Sequence, residues 1–571
     1  DFNVAVGYSS LSTDTLGARS VAVGHEALAS QNFTTATISY NTAVGMQAGR
    51  LVTTGTQLTL IGYNSGTALT TGATNTAVGT NSLASDTLGS KSTAIGVQAL
   101  NTQNFTTATD TYNVALGHQA SLNVTTGVHN TIVGANAGDA FTDADFNTAL
   151  GSFALSADTL GSRSTALGFQ ALGVQNFTTA TDAYNVAVGF NAGVSVTTGL
   201  QNTLIGSLTG DALTTGNLNV ALGMHALGAD TLGDRAVAIG YAALQSQNFT
   251  TQTQNYNVAV GYQAGGAITT GTQNTAIGGL ALDAANTGAA NVAVGYQTLT
   301  ADTKGQNNTA VGHNALATQN FTTATNSYNT AVGSQAGLVI STGTENTIVG
   351  ALAGDAMTTG SKNTFVGFQV ASGGTLTGSG NTAMGENAGF SLTSGGNNLL
   401  LGLDAGRTGS PGGNVATASN HIVLGDENIT SANIQVAFGI ASDERDKTDF
   451  ADLDLGLDFV KALEPVTYYW DKRAKYGDKN AEDYDLDAQT PDGTHKEDWM
   501  DVGFKAQAVK ALEEAAGYKI ADKKNLTLSL TEDGKQYGLK YEKFIPILVK
   551  AIQDQDAIIQ SLTARIAALE S

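Results

Sequence analysis

The stretch Asn41-Thr42-Ala43-Val44-Gly45, followed by Ala48 and then by Thr53-Thr54-Gly55, decides the fold, because the chain repeats it. Copies stand at Asn75-Thr76-Ala77-Val78-Gly79, Asn147-Thr148-Ala149-Leu150-Gly151, Asn274-Thr275-Ala276-Ile277-Gly278 and Asn329-Thr330-Ala331-Val332-Gly333. The closing glycines Gly7, Gly24, Gly45, Gly62, Gly79, Gly96 and Gly117 are separated by 17, 21, 17, 17, 17 and 21 residues. Each 21-residue step contains a Gln-Asn-Phe-Thr-Thr insertion, starting at Gln31, Gln103, Gln175, Gln247 and Gln319, so four coils make a 72-residue superrepeat. A period this short excludes a helical hairpin repeat, and Gly, Thr, Val and Asn are poor helix formers.

The expected fold is therefore mainly β: a long parallel β-solenoid, or β-roll, of 17- and 21-residue coils. Two short strands per coil, joined by Thr-Gly and Asn turns, would pair with the next coil at about 4.8 Å. The signature glycines from Gly7 to Gly425 mark twenty-four coils, which would extend roughly 110 Å at that spacing. An apolar residue precedes each glycine (Val44, Ile61, Leu116, Met384), and Ala usually follows three residues later (Ala48, Ala99, Ala137, Ala264). The Asn four before the glycine (Asn41, Asn75, Asn130, Asn202, Asn274, Asn346) is expected to form a structural ladder. Its amides would either bond to one another or close the turn.

Composition divides the chain near Ser442. Residues 1–441 hold 8 basic and 21 acidic residues, against 18 and 27 in the remaining 130; both tryptophans, Trp470 and Trp499, lie in the second part. Pro411 is the first of four prolines, and it falls where the coil steps become irregular. The expected domains are thus a repetitive shaft or head at 1–402, an irregular solenoid end and connector at 403–441, a small α+β domain at 442–544, and a C-terminal helix at 545–571. The segment 403–414, with Arg407, Pro411 and Asn414, is a candidate binding tip.

The net charge of −22 leaves no basic surface to neutralise phosphates, which argues against nucleic acid as a partner. With no cysteine there is neither a disulfide nor a thiolate metal site. The seven histidines have no metal-ligand spacing, and the acidic clusters around Asp452 and Asp485 lack the glycine and closing Glu of a calcium loop. Neither a metal nor a cofactor is expected, and no apolar run is long enough to insert in a membrane. The seven residues Asp1–Gly7 parallel Asp145–Gly151, so the chain starts inside a coil and an upstream segment is expected.

Ser20-Val21-Ala22-Val23-Gly24 and Ser92-Thr93-Ala94-Ile95-Gly96 resemble the head repeat of trimeric autotransporter adhesins, a parallel β-roll that associates in threes. The coils here are longer than is common in that family, and no membrane barrel follows them.

The second part opens on Ser442-Asp443-Glu444-Arg445-Asp446-Lys447. It continues through Leu463-Glu464-Pro465 and an aromatic stretch to Tyr541-Glu542-Lys543-Phe544-Ile545-Pro546. In this order the motifs resemble the C-terminal intramolecular chaperone and auto-processing domain of phage tailspikes, tail fibres and endosialidases. That resemblance implies a homotrimer whose C-terminal domain cuts itself off just before the motif serine, here between Ala441 and Ser442. It also implies Ser442 as nucleophile and Lys447 as the matching base, with Asp443 and Arg445 holding the turn. A serine hydroxyl needs such a base, and a lysine amine serves only after burial has removed its proton. Five residues apart, the two do not share a helix face, so a folded turn or a neighbouring chain must join them.

Independently of resemblance, Ile545, Leu548, Ile552, Gln555, Ile559, Leu562, Ile566 and Leu569 alternate at spacings of 3 and 4, the seam of a coiled coil. Ile at one seam position with Leu at the other leans by itself toward a dimer, and Gln555 would fix register.

Together these expectations describe a virion tail fibre or appendage that is extracellular when functional. Its partners would be two further copies, upstream virion attachment proteins and a host surface receptor or glycan, and its only chemistry would be self-cleavage. A bacterial trimeric surface adhesin and a polysaccharide-degrading tailspike enzyme are the alternatives, with ice binding through threonine rows behind them.

Overall fold

In the computed structural model the described residues are 1–571 without Ala437, Asn480, Glu482 and Ser571. The chain forms two compact units, Asp1–Asn329 and Thr330–Ser571.

The first unit is a parallel β-solenoid. Its three-residue strands run from Val4–Val6 to Thr309–Val311, one per coil. Each pairs in register with the next: Ala5 lies opposite Ala22, Ala22 opposite Ala43, and Ala43 opposite Leu60. After the first, the middle residue of each three-residue strand is buried. Ala22, Ala43, Leu60 and Ala77 are completely buried, together with Ala48, Ala99, Ala137 and Ala264 from the following turn. The apolar residue before each glycine faces the other way, so that Val44 and Ile61 are 37% and 38% exposed. Alternation along a strand makes one of two faces the core, but the residue types alone do not say which, because Ala packs more tightly than Val inside so narrow a coil.

The second strand expected in every coil is present only beside the 21-residue coils. There Gly17–Ala18 pairs with Thr37–Ile38, Gly89–Ser90 with Thr109–Asp110, and likewise in the later superrepeats. Elsewhere a turn, most often Thr-Thr-Gly, takes its place. The N–H groups of Thr53, Thr54 and Gly55 all converge on the Thr70 carbonyl of the next coil, at 2.9, 3.3 and 3.2 Å, which leaves no ladder to continue.

The asparagine ladder forms, and by both of the expected routes. Asn130 Nδ2 donates to the Ala144 carbonyl at 2.7 Å, closing the turn. Its Oδ1 accepts the N–H of Asn147 in the next coil at 2.9 Å. Amide-to-amide bonds join some rungs, as from Asn219 Nδ2 to Asn202 Oδ1 at 3.2 Å. Each 21-residue insertion adds a polar core. Gln103 Nε2 donates to Asp86 Oδ2 at 2.7 Å and to Ser92 Oγ at 2.9 Å, while Asn113 Nδ2 donates to Gln103 Oε1 at 2.9 Å. Asp86 Oδ1 also accepts the N–H groups of Gly89 and Phe105, so this fully buried carboxyl is well partnered.

The signature glycines form a column that tolerates no other residue. At Gly151 φ is +142°, and a Cβ built there would lie 2.3 Å from the Gly168 carbonyl oxygen of the next coil. Gly151→Ala is expected to cost about 3 kcal/mol or more. Because a solenoid is held by nearest-neighbour terms, the damage should stay local. Hydrogen exchange should accelerate at Thr131–Val133 and Thr165–Leu167 and remain unchanged at Val4–Val6.

In the second unit six further strands, Thr330–Val332, Thr347–Val349, Thr364–Val366, Thr382–Met384, Leu399–Leu401 and Ile422–Leu424, continue the parallel register among themselves. The ladder thus runs one coil beyond residue 402. An α+β domain follows. Helix Leu457–Ala462 stops ahead of Glu464-Pro465, and strand Val466–Tyr468 pairs antiparallel with Asp501–Gly503. Helix Ala506–Ala515, the hairpin of Leu528–Leu530 with Tyr537–Leu539, and helix Phe544–Glu570 complete it. Its core is Leu455, Phe459, Val509, Leu528, Phe544 and Ile547. The buried Glu513 carboxylate ties helix Ala506–Ala515 to the hairpin by accepting the Thr527 N–H at 2.7 Å.

The shaft and the terminal domain titrate in opposite senses. Burial pushes the carboxyls of Asp86, Asp158 and Asp230 above their ordinary range, and does the same at Asp139, Asp145, Asp211 and Asp283. A folded state that holds protons more tightly than the unfolded chain gains stability as pH falls through the raised values toward the unfolded value of about 3.9. In the terminal domain Lys535 holds Asp485 below its ordinary range, and Lys550 does so for Asp554. That contribution is present above about pH 3.9 and is lost as pH falls through the lowered values. Between pH 7 and pH 3 the thermal transition of the shaft, followed by circular dichroism of the strands, is expected to rise. Fluorescence of Trp470 and Trp499 reports only the terminal domain, whose transition should fall below about pH 4. A shaft transition that drops steadily with acid would refute this.

Candidate functional site

Ser442 to Lys447 fold back on themselves in a single turn. Residues Glu444–Asp446 form a 3-10 turn, capped at its start by the Asp443 carboxylate, which accepts the Arg445 N–H at 2.9 Å. The Arg445 guanidinium grips the same carboxylate through Nε at 3.0 Å and Nη2 at 2.6 Å. This charge-assisted pairing holds Asp443 below the usual carboxylate range. The turn closes with the Lys447 N–H donating to the Glu444 carbonyl at 3.1 Å. Its result is contact between the two ends: Lys447 Nζ lies 2.5 Å from Ser442 Oγ and 3.2 Å from the Ser442 carbonyl oxygen.

A folded turn of the same chain therefore joins the hydroxyl and the amine. The whole segment 441–450, including the Ala441–Ser442 bond, is exposed in the single chain. The bond is accessible, but the chain itself does not supply the dry surroundings in which a lysine amine becomes a base.

Helix Phe544–Glu570 presents two faces one residue apart. Phe544, Ile547 and Ala551 pack into the domain. The seam residues Ile545, Leu548, Ile552, Ile559, Leu562, Ile566 and Leu569 all face outward, with Ile552 65% and Ile559 52% exposed; Gln555 stands in the same row.

The expected tip at 403–414 is not a free loop. Arg407 is 8% exposed. Its Nη1 pairs with Asp404 at 3.1 Å, its Nη2 donates to the Lys479 carbonyl at 3.2 Å, and its guanidinium lies over the Phe390 ring. The Asn414 N–H donates to Asp533 at 3.3 Å, and only Pro411 of the three named residues is exposed. Glu427 accepts a hydrogen bond from Lys472 at its carbonyl at 2.7 Å and pairs with Lys479 through its carboxylate. Sequence reasoning missed the partners of this region, chiefly Glu532 and Asp533. They sit in a hairpin loop whose Thr-Glu-Asp-Gly-Lys sequence announces a turn but names no partner.

Among the described residues no cluster of His, Cys, Asp and Glu could hold a metal ion, and no helix is long and apolar enough to cross a membrane. Residues 442–518 match the peptidase family described as chaperone of endosialidase. No curated protein and no solved structure matches the chain. A long β-solenoid followed by a chaperone-of-endosialidase segment fits a tail fibre or endosialidase-type protein with an intramolecular chaperone.

Proposed function

We propose that this chain is a homotrimeric virion tail fibre or appendage for host attachment, whose C-terminal domain assembles three shafts and then severs itself at Ala441–Ser442. The observation that carries this reading is the contact between Lys447 Nζ and Ser442 Oγ at the first residues of the matched segment. Ser442 Oγ attacks the Ala441 carbonyl carbon while Lys447 takes the hydroxyl proton and passes it to the departing Ser442 amine. The amide becomes an ester. Water then hydrolyses the ester, leaving a carboxylate on Ala441 and restoring the Ser442 hydroxyl. Asp443 and Arg445 are positioning residues that keep the turn closed.

Trimerisation supplies what the single chain lacks. Packing three helices along the outward seam places neighbouring domains together, and a neighbouring chain covering the turn provides the dry surroundings in which a lysine amine serves as a base. Self-cleavage thereby waits for assembly. The rows of outward apolar residues on the shaft, such as Val44, Ile61, Leu116 and Leu150, support chain-to-chain packing as well, since isolated soluble proteins rarely expose such stripes.

Two masses test the reading. Under native conditions the uncut assembly should weigh three times 58.1 kDa, and under denaturing conditions two species should meet at Ala441–Ser442. A monomer overturns the assembly role, and a trimer of permanently uncut chains overturns the processing role.

A further inference from the structure

The last coil of the shaft ends in a site that is already filled by a carboxylate. In several interior Thr-Thr-Gly turns, neighbouring N–H groups converge on one carbonyl oxygen of the following coil, as Thr125, Thr126 and Gly127 do on Thr142 at 2.9, 3.3 and 3.3 Å. In the second unit Thr393 and Gly395 donate to Ala416 in the same way, at 2.9 and 3.3 Å. Ala416, Thr417 and Ala418 form the equivalent turn one coil later. The final strand, Ile422–Leu424, pairs with Leu399–Leu401, and no further coil follows it among the described residues.

Glu532 occupies the place of the missing carbonyl. Its Oε1 accepts the Thr417 N–H at 3.2 Å and the Thr417 hydroxyl, and its Oε2 accepts the Ala418 N–H at 2.9 Å. Beside it Asp533 accepts the Asn414 N–H. Burial opposes the Glu532 charge, yet these bonds outweigh burial and hold its carboxyl below the ordinary range. Both acids lie on the C-terminal side of the Ala441–Ser442 bond.

We infer that the end of the last coil is a binding site for the carboxylate of an acidic glycan, and that Glu532 is a stand-in ligand that keeps it filled until the terminal domain leaves. Converging backbone N–H groups with a hydroxyl beside them form an anion cradle, and such charge-assisted bonds are stronger than neutral ones. Departure of the domain strips Thr417, Ala418 and Asn414 of their acceptors at once. It also strips Glu427 of Lys472 and Lys479. The bare negative charge left beside the cradle favours carboxylates spaced along neutral sugars over dense polyanions. Three such ends in one assembly multiply a weak contact by avidity.

The inference rests on the self-cleavage proposed above, so the test separates the two. Three full-length proteins are compared on surfaces of hyaluronan, which carries one carboxylate per disaccharide, and of carboxyl-reduced hyaluronan. They are wild type, Ser442→Ala, and Ser442→Ala with a site-specific protease sequence inserted after Ala441 and cut by added protease. Shafts freed of the terminal fragment should bind hyaluronan and not its reduced form, while uncut Ser442→Ala binds neither. Thr417→Val, which keeps the backbone and loses one hydroxyl, should weaken binding about fivefold per site. Binding by the protease-cut protein beside an uncut wild type would sink self-cleavage and leave the site standing. The site itself is overturned if freed shafts bind neither surface or both equally, if they join end to end without binding glycan, or if the fragment stays bound after cutting.

Discussion

A Ser442→Ala chain is expected to run as a single 58.1 kDa species under denaturing conditions that resolve wild type into two, while remaining the same trimer under native conditions. Alanine removes the one atom that attacks the Ala441 carbonyl, so the loss is complete and not graded. The fold around it should not change, because Ser442 is exposed and its side chain touches only Lys447. Lys447→Ala keeps the nucleophile and removes the group beside it. Loss of a general base slows a step by about 10²–10⁴, so fragments should still accumulate, over days instead of minutes. Arg445→Ala opens the grip on Asp443 and should slow cutting far less. Equal cutting by wild type and Ser442→Ala, with the same new termini, would assign the scission to an outside protease.

Placing charge on the helix seam should have the opposite signature: loss of assembly, with the cut lost as its consequence. Ile559→Asp with Leu562→Asp replaces two side chains that are 52% and 49% exposed in the single chain, so the monomer loses nothing by the change. In a three-helix seam each of these positions is buried three times, and burial of an Ile or Leu side chain is worth about 1.5–3 kcal/mol. The double variant is therefore expected to dissociate at micromolar concentration and to aggregate through the apolar rows of its unassembled shafts. Sedimentation at several concentrations is the measurement. A variant that stays trimeric and cuts at the normal rate would mean that the seam is not the assembly surface.

The repeat was legible because its signal is arithmetic. Spacings of 17 and 21 residues fix the register of every strand, and Ala5 opposite Ala22 is the outcome. The inward face was not legible, since Val44 is the more hydrophobic residue and yet Ala43 takes the core. Nor was the role of Gln103. It stands at the start of an insertion and turns inward to satisfy Asp86, a pairing across coils that no local pattern announces. At the candidate site, Ser442 and Lys447 could be named from their motif. That one turn would bring them together depended on Asp443 capping its own chain, which sequence spacing leaves open. The helix seam was readable from its period, and the packing of Phe544, Ile547 and Ala551 one residue away explains why it remains outside. Arg407 misled, because an irregular, proline-bearing stretch reads as a loop whether it is bare or covered.

The partnership of Asp86 with Gln103 bears on how such shafts change length during evolution. Carboxylate and amide belong to successive coils, and the same pairing recurs at Asp158 with Gln175 and at Asp230 with Gln247. A genetic deletion that removes one of the two coils strands a charged or polar group inside the protein. One that removes a whole 72-residue block leaves every pair intact. Copying or dropping a whole block, about 19 Å of shaft, is therefore one way to change its reach without breaking a pair, as a ruler is cut at its marks.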